Sequence, residues 1–335
     1  MFMSRIWTLF RSIFDNYTLT LIGVVALATI FPVYGAGVAV ASAATKLVVA
    51  LLFFLHGLKL SPQSLWAGLT HWRLHLSILA ATFVMFPVLG LLMKPLFVVL
   101  VGPSLYAGLL FVCVLPSTVQ TSIAFTSMAK GNVAAAVCAA SASSLLGVFF
   151  TPLLVGFLMN TVSGGFSGQA IIDLCVQLLL PFAAGQALRG QLAGFINRHK
   201  SLVGYVDRLS VLFIIYASFS NGATSGLWDT VNVNILVLLC LACSILLAAA
   251  LFLTDRGGRA LGFSRADRIT LLFCGSKKSL ASGVPMANVI FPPALASTLI
   301  LPLMIFHQIQ LMVCAWMARR MALSGPEDEM DDGYR

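Results

Sequence analysis

Ten apolar runs, each close to the length of one membrane crossing and separated by short gaps that hold most of the charge, dominate this chain. They lie near 17–34, 37–58, 73–96, 103–128, 132–158, 169–189, 205–225, 230–254, 268–290 and 294–318. An α-helix needs about 20 residues to cross a hydrocarbon core about 30 Å thick, and it satisfies its backbone polar groups on the way. The runs are too long for half-buried strands and lack the alternation of barrel strands. They predict an all-α integral membrane protein with ten transmembrane helices. Composition agrees: 59% of the 335 residues are hydrophobic and 9% are charged, where soluble domains carry about a quarter.

The charge reports topology. Lys59, Arg73, Lys130, Arg189, Arg198, Lys200, Arg208, Arg256, Arg259, Arg265 and Arg268 fall in gaps on one side, and only Lys94 on the other. With Arg5, Arg11, Arg319, Arg320 and Arg335 at the ends, the positive-inside rule puts both termini in the cytoplasm of a multi-pass bacterial inner-membrane protein. The net charge of +9 therefore implies no nucleic-acid partner. Arg5, Arg11 and Ala41-Ser42-Ala43 imitate a signal peptide, but the apolar stretch is too long and another span follows directly, so a retained first helix is expected. The seven cysteines all lie inside apolar runs, which argues against a disulfide framework. Neither Cys240 with Cys243 nor His71 with His75 has further ligands nearby, so no metal is expected. No cofactor is expected either.

Two runs are interrupted. The stretch 268–290 contains Gly275-Ser276-Lys277-Lys278-Ser279 and then Pro285. Counted at helical rise from Arg268, Lys277 lies roughly 14 Å along the axis, near mid-bilayer. Ionisable residues at that depth are costly and usually functional. The stretch 103–128 carries Pro116-Ser117-Thr118 at mid-length. Each is the fourth of a set of five, and a five-span unit repeated once must insert its second copy upside down. Interrupted segments at matching places point to an inverted-repeat transporter with its site at the breaks. Residues 1–160 read as the first five-helix repeat, 161–320 as the second, inverted one, and 321–335 as a cytoplasmic acidic tail.

The segment from Cys113 to Pro152, with Pro116, the polar run Ser117 to Ser122, Lys130-Gly131-Asn132 and the small-residue helix Asn132 to Ser144, resembles the bile acid:sodium symporter superfamily. Gly275-Ser276-Lys277-Lys278-Ser279-Leu280 is similar to a branch shared by bacteria and eukaryotes, and the resemblance spans essentially the whole chain. It implies ten helices in two inverted five-helix repeats, a panel and a core domain, and broken helices four and nine crossing near the midplane. It also implies alternating access and organic anions as usual substrates. Sodium-coupled relatives hold two sodium ions around the crossover. Carried over, the polar pair of helix four falls at Thr121 and Ser122. The two hydroxyl ligands of helix five fall at Ala136 and Ala140, the glutamate of helix nine at Phe273 and a glutamine at Lys277, so the sodium pattern is broken. Sister permeases that expel metalloids use a cysteine at the start of broken helix four, and Cys113 stands three residues before Pro116.

The residues themselves favour an anion over a cation. All eleven acidic residues (Asp15, Asp173, Asp207, Asp229, Asp255, Asp267 and five in the tail) lie near span ends or outside. Lys46, Lys277 and Lys278 lie deep. An ammonium opposes a nearby sodium ion. Successive helical residues point about 100° apart, so Lys277 and Lys278 both approach the crossover only if the segment is unwound. A lysine there would take the place of sodium on half-helix carbonyls, and burial, which disfavours the charged form, makes it a candidate proton carrier. Half-helix N-termini would add positive potential. The candidate substrate- and ion-binding residues are Pro116, Ser117, Thr118, Gln120, Thr121, Ser122, Asn132, Ser141, Ser144, Ser276, Lys277, Lys278 and Ser279. His307, Gln308, Gln310 and Asn221 are weaker candidates that can equally tie helices together.

The expected function is a secondary transporter of a small organic anion, with any coupling ion a proton in preference to sodium. The alternatives are a sodium symporter with a rebuilt ion site, an arsenite-type metalloid efflux permease, and a regulatory membrane protein that carries no solute. An intramembrane enzyme would need acidic clusters or a paired Ser and His, which the sequence does not offer.

Overall fold

A computed structural model describes residues 16–59, 71–159 and 168–323. The terminal arginines Arg5 and Arg11 and the acidic tail Glu327 to Asp332 lie outside the described residues. Helices α1 (Asn16–Ile30), α2 (Ala36–Lys59) and α3 (Trp72–Leu92) are followed by α4 (Lys94–Val114), α5 (Val119–Met128) and α6 (Val133–Leu158). The second half supplies α7 (Gly168–Arg198), α8 (Lys200–Thr224), α9 (Val233–Ala260), α10 (Arg265–Gly275), α11 (Leu280–Ile290) and α12 (Pro293–Leu323), with a one-turn helix at Leu227–Thr230. No strand occurs among the described residues. Seven of these helices (α2, α3, α4, α6, α8, α9 and α12) are long and apolar enough to cross a bilayer, as an integral membrane protein requires.

Several boundaries differ from the apolar runs for local reasons. Gly102 has φ 79° and ψ 168° inside α4; this left-handed kink just before Pro103 separates the segment from Lys94 to Val101 from the run read as starting at 103. Helix α3 contains a π-helical turn, Ala81–Met85, that no apolar periodicity announces. Lys46, read as deep, is exposed on the outer face of α2, where its long stem can carry the ammonium toward the interface.

The helices pack in two groups joined where α8 lies on α12 and α7 on α6. Helices α2, α7 and α8 contact one another and α1 packs on α8, and the tightest crossing is α2 against α7. A Cβ on Gly57 would collide with the Phe182 carbonyl, and one on Gly185 with the Phe54 carbonyl, so only glycine permits this approach. The other group is built on α4, α9 and α12, with the short helices α5, α10 and α11 packed against α6, α9 and α12. Its interior is filled by Phe86, Phe97, Phe111, Phe273 and Phe306, and the side chains of Lys277 and Lys278 are as fully buried as these rings.

Candidate functional site at two crossing breaks

Helix α4 stops at Val114 because Pro116 has no N–H and its ring drives Leu115 out of the α region, to φ −76° and ψ 155°. The chain resumes as α5 at Val119. Helix α10 stops at Gly275, and α11 starts at Leu280 after Ser279, whose hydroxyl caps it by accepting from the Ser282 N–H at 3.2 Å. The two interruptions meet. The Ser279 N–H donates to the Pro116 carbonyl at 2.9 Å, and the Thr118 hydroxyl to the Lys278 carbonyl at 2.9 Å. Ser117 donates to the Cys274 carbonyl at 2.6 Å and Ser122 to the Phe273 carbonyl at 3.1 Å. Each break supplies donors that the other's orphaned helix end lacks.

Lys278 finishes the pairing on one side. Its Nζ donates to the carbonyls of Thr82, Cys113 and Leu115, each at 2.8 Å, and lies 4.2 Å from the centre of the Phe86 ring. The Cys113 and Leu115 carbonyls belong to the C-terminal end of α4, the negative end of its dipole. The Thr82 carbonyl is free for a specific reason. In the π turn the Phe86 N–H goes to Ala81, and the donor five residues beyond Thr82 is Pro87, which has no N–H. All three ammonium protons are thereby used. The backbone of Lys278 is clamped as well: its N–H donates to Gln310 Oε1 at 3.0 Å and its carbonyl accepts from Gln310 Nε2 at 2.9 Å.

Lys277 turns the other way. Its Nζ donates to the Thr121 carbonyl at 2.9 Å and lies 3.7 Å from the centre of Phe125 and 5.6 Å from that of Phe273. The Thr121 hydroxyl is buried with no hydrogen-bond partner. The unwound backbone lets adjacent ammonium groups diverge into a carbonyl cage and a ring-walled pocket. Neither lines the cavity described next.

A cavity of about 210 Å³ lies between the two helix groups. Thr118, Val119 and Gln120 at the start of α5 and Ser279, Ala281 and Ser282 at the start of α11 line one wall. Two helix N-termini, each equivalent to about half a positive charge, therefore face the same space. Ser141, Ser144, Leu145 and Val148 come from α6, Met286 from α11, Phe53 from α2 and Phe182 from α7. His56, Lys59 and Asp207 complete the lining, with Lys59 Nζ 3.0 Å from Asp207 Oδ2.

The residues singled out from sequence divide accordingly. Thr118, Gln120, Ser141, Ser144 and Ser279 line the cavity. Pro116, Ser117, Ser122, Lys277 and Lys278 build the crossover behind it, together with Thr121 through its carbonyl; Ser276 returns its hydroxyl to the Leu272 carbonyl. Asn132 stands apart: it caps α6 by accepting from the Ala135 N–H at 3.0 Å and donates to Asp267 at 2.9 Å, tying α6 to α10. Sequence reasoning missed Phe53, His56, Phe182 and Asp207, and treated Lys59 only as a topology marker. Of the positions matched to sodium ligands, Ala136, Ala140 and Phe273 are fully buried and bring no side-chain oxygen. No group of three His, Cys, Asp or Glu side chains able to hold a metal occurs among the described residues.

The sequence profile of the SBF-like CPA transporter family matches residues 15–323. Protein PA2026 of Pseudomonas aeruginosa is 54% identical over 309 residues, covering 92% of this chain and 93% of that one. The Escherichia coli (strain K12) protein named "Putative symporter YfeH" is 50% identical over 312 residues, 93% of this chain and 94% of the relative. Sodium/bile acid cotransporter 7 of Danio rerio is 31% identical over 274 residues, 80% of this chain and 81% of the relative.

Proposed function

The chain belongs to the SBF-like CPA transporter family, it is a transporter of the bile acid:sodium symporter type rather than an enzyme, and from that premise we propose that it carries a small organic anion by alternating access, with a lysine in place of bound sodium. The observation that carries the reading is the cage of Lys278. Three carbonyls at 2.8 Å around one ammonium at the crossover of two broken helices are what a monovalent cation would otherwise receive. A sodium ion about 4 Å from that charge would meet a repulsion of about 4 kcal/mol at an effective dielectric near 20. The alanines at 136 and 140 and the phenylalanine at 273 add no compensating oxygen.

The anion follows from the cavity. Its wall presents two helix N-termini and a row of hydroxyl and amide groups, a lining that favours negative charge. In this reading the seven long helices, α1, α7 and the α10–α11 pair make ten crossings, with α5 completing the crossing begun by α4. The inverted repeats then meet at the two breaks, as the Gly-Ser-Lys-Lys-Ser branch of the superfamily would have it. Helices α1, α2, α7 and α8 would move against the rest, and both termini would lie in the cytoplasm of a bacterial inner membrane. Coupling, where present, would run through Lys277. Loss of its proton forfeits one carbonyl bond, whereas Lys278 would leave a cage of three carbonyls short of donors. A metalloid pathway finds no support, since the Cys113 sulfur packs against Gly90 and not in the cavity.

The test uses purified protein. Thermal shift against a panel of organic anions, with sodium and with N-methylglucamine as the sole cation, should give the same stabilisation in both. Uptake of the stabilising anion into proteoliposomes should persist without a sodium gradient and lose its dependence on a pH gradient in Lys277→Gln. Uptake that depends steeply on sodium, with Lys278→Gln transporting normally, would show the lysine-for-sodium reading to be wrong.

A further inference from the structure

We propose that Lys59 is the docking cation for the anionic end of the substrate and that Asp207 is the counter-ion which the substrate displaces; this rests on the anion-transporter reading above. Lys59 is the last residue of α2 and Asp207 opens the third turn of α8, and their 3.0 Å ion pair sits in the lining of the cavity. Among the described residues of that lining, Lys59 is the sole lysine or arginine and Asp207 the sole carboxylate. The pair is incompletely satisfied. Asp207 Oδ2 takes the ammonium, while Oδ1 is buried without a hydrogen-bond partner. An oxygen with no donor from the protein is under-satisfied, and with side chains 32% (Lys59) and 17% (Asp207) exposed the pair is open enough to exchange partners.

The rest of the lining describes what would replace it. One turn before Lys59, His56 lines the same cavity and meets the Phe53 ring edge-on, with centroids 6.1 Å apart. Phe53, Phe182, Leu145, Val148 and Met286 form the apolar part, and the neutral donors at the starts of α5 and α11 form the polar part. The ligand chemistry that fits is an amphipathic anion. Its carboxylate or sulfonate would lie on Lys59, its apolar body on the aromatic and aliphatic side chains, and a hydroxyl-bearing end at the helix N-termini. Asp207 then acts as an internal competitor. It keeps the cation paired in the empty protein and sets the affinity that an incoming anion must exceed.

The experiment measures binding of two probes, cholate and 4-(4-hydroxyphenyl)butyrate, each against its neutral primary amide, by isothermal titration to full-length protein in a non-ionic detergent. Wild type should prefer each anion to its amide by about tenfold. Asp207→Asn should bind the anions roughly three- to tenfold more tightly with amide binding unchanged, because the competitor is gone. Lys59→Met should lose the preference while still binding the amides, which also reports that the cavity is intact. The double variant Lys59→Gln with Asp207→Asn leaves no unpaired charge to unfold the mouth, and it too should bind amides without preferring anions. If Asp207→Asn and Lys59→Met weaken the anions alike, the pair is a structural brace and the proposal is overturned while the transporter reading stands. If wild type binds each anion no more tightly than its amide, Lys59 docks no anion and this assignment is overturned, while the transporter reading stands on the wider anion panel.

Discussion

The break after α4 and the break after α10 have the same shape and opposite chemistry. The first is made by a proline and offers neutral hydroxyls, Ser117, Thr118 and Ser122, to carbonyls of the second. The second has no proline between Gly275 and Leu280 and offers two ammonium groups, one to the C-terminal end of α4 and one to a carbonyl of α5. Neutral donors can be replaced by water or by an ion that comes and goes. A lysine cannot leave, so the positive charge at the crossover is part of the protein. In the proposed reading this difference moves the cation requirement from the solution into the chain, while the cavity faces the positive ends of α5 and α11.

The comparison breaks most visibly at Lys278. Lys278→Met keeps the bulk of the side chain but orphans three buried carbonyls, a loss of about 3–5 kcal/mol. The unfolding midpoint in detergent should fall by roughly 4–7 °C. A drop of less than about 3 °C would mean that water can satisfy the cage and that the charge is dispensable to the fold. The first break is tested by packing instead. Helix α6 approaches Pro116 at Gly147, where a Cβ would lie 2.5 Å from the proline Cβ. Gly147→Ala should cost about 1–3 kcal/mol and shift the midpoint by less than Lys278→Met does. An effect as large as the lysine's would locate the critical element of the crossover in the proline turn.

How much of this could be read from the sequence varies residue by residue. Pro116 and the polar interruption at Ser276 to Ser279 announce both breaks, since one removes an N–H and the other places charge in an apolar run. The cage of Lys278 is not legible in advance, because Thr82 stands 196 residues away and its carbonyl is free only through the π register of Ala81–Met85. Pro87 is the one local signal for that register, and it acts only once Phe86 is known to pair with Ala81. Lys59 and Asp207 read as topology charges because nothing local pairs residues 148 positions apart. Asn132 misled in the opposite direction. A polar residue beside a broken helix looks like a ligand, yet an Asn before a run of alanines is also an ordinary N-cap, and in the structure it makes that cap and the bond to Asp267.

Lys277 sharpens the contrast within the second break. Its ammonium has one carbonyl partner and two ring faces, so Lys277→Met should cost about 1–2 kcal/mol, less than the effect at Lys278. Binding of the proposed anionic substrate should survive, because Lys277 does not line the cavity. Equal destabilisation by the two methionine substitutions would mean that both ammonium groups are structural, and would remove the reason to assign coupling to Lys277.

The smallest effect belongs to Thr118, and it separates the two jobs of the first break. Its hydroxyl donates to the Lys278 carbonyl, but that oxygen also accepts from Gln310 Nε2 at 2.9 Å, so Thr118→Val leaves no carbonyl orphaned. The expected loss is about 0.5–1 kcal/mol, a midpoint change of roughly 3 °C or less. Thr118 also faces the cavity at the start of α5, and a valine there withdraws a polar group from the wall beside the helix N-terminus. The hydroxyl has one proton, so an anion gains it only by displacing the bond to the Lys278 carbonyl, which Gln310 Nε2 continues to satisfy; through that exchange anion affinity should fall about three- to tenfold in the variant. A variant that loses stability and leaves anion affinity untouched would make the hydroxyls of the first break pure fasteners of the crossover and would move the anion's polar contacts to α6 and α11.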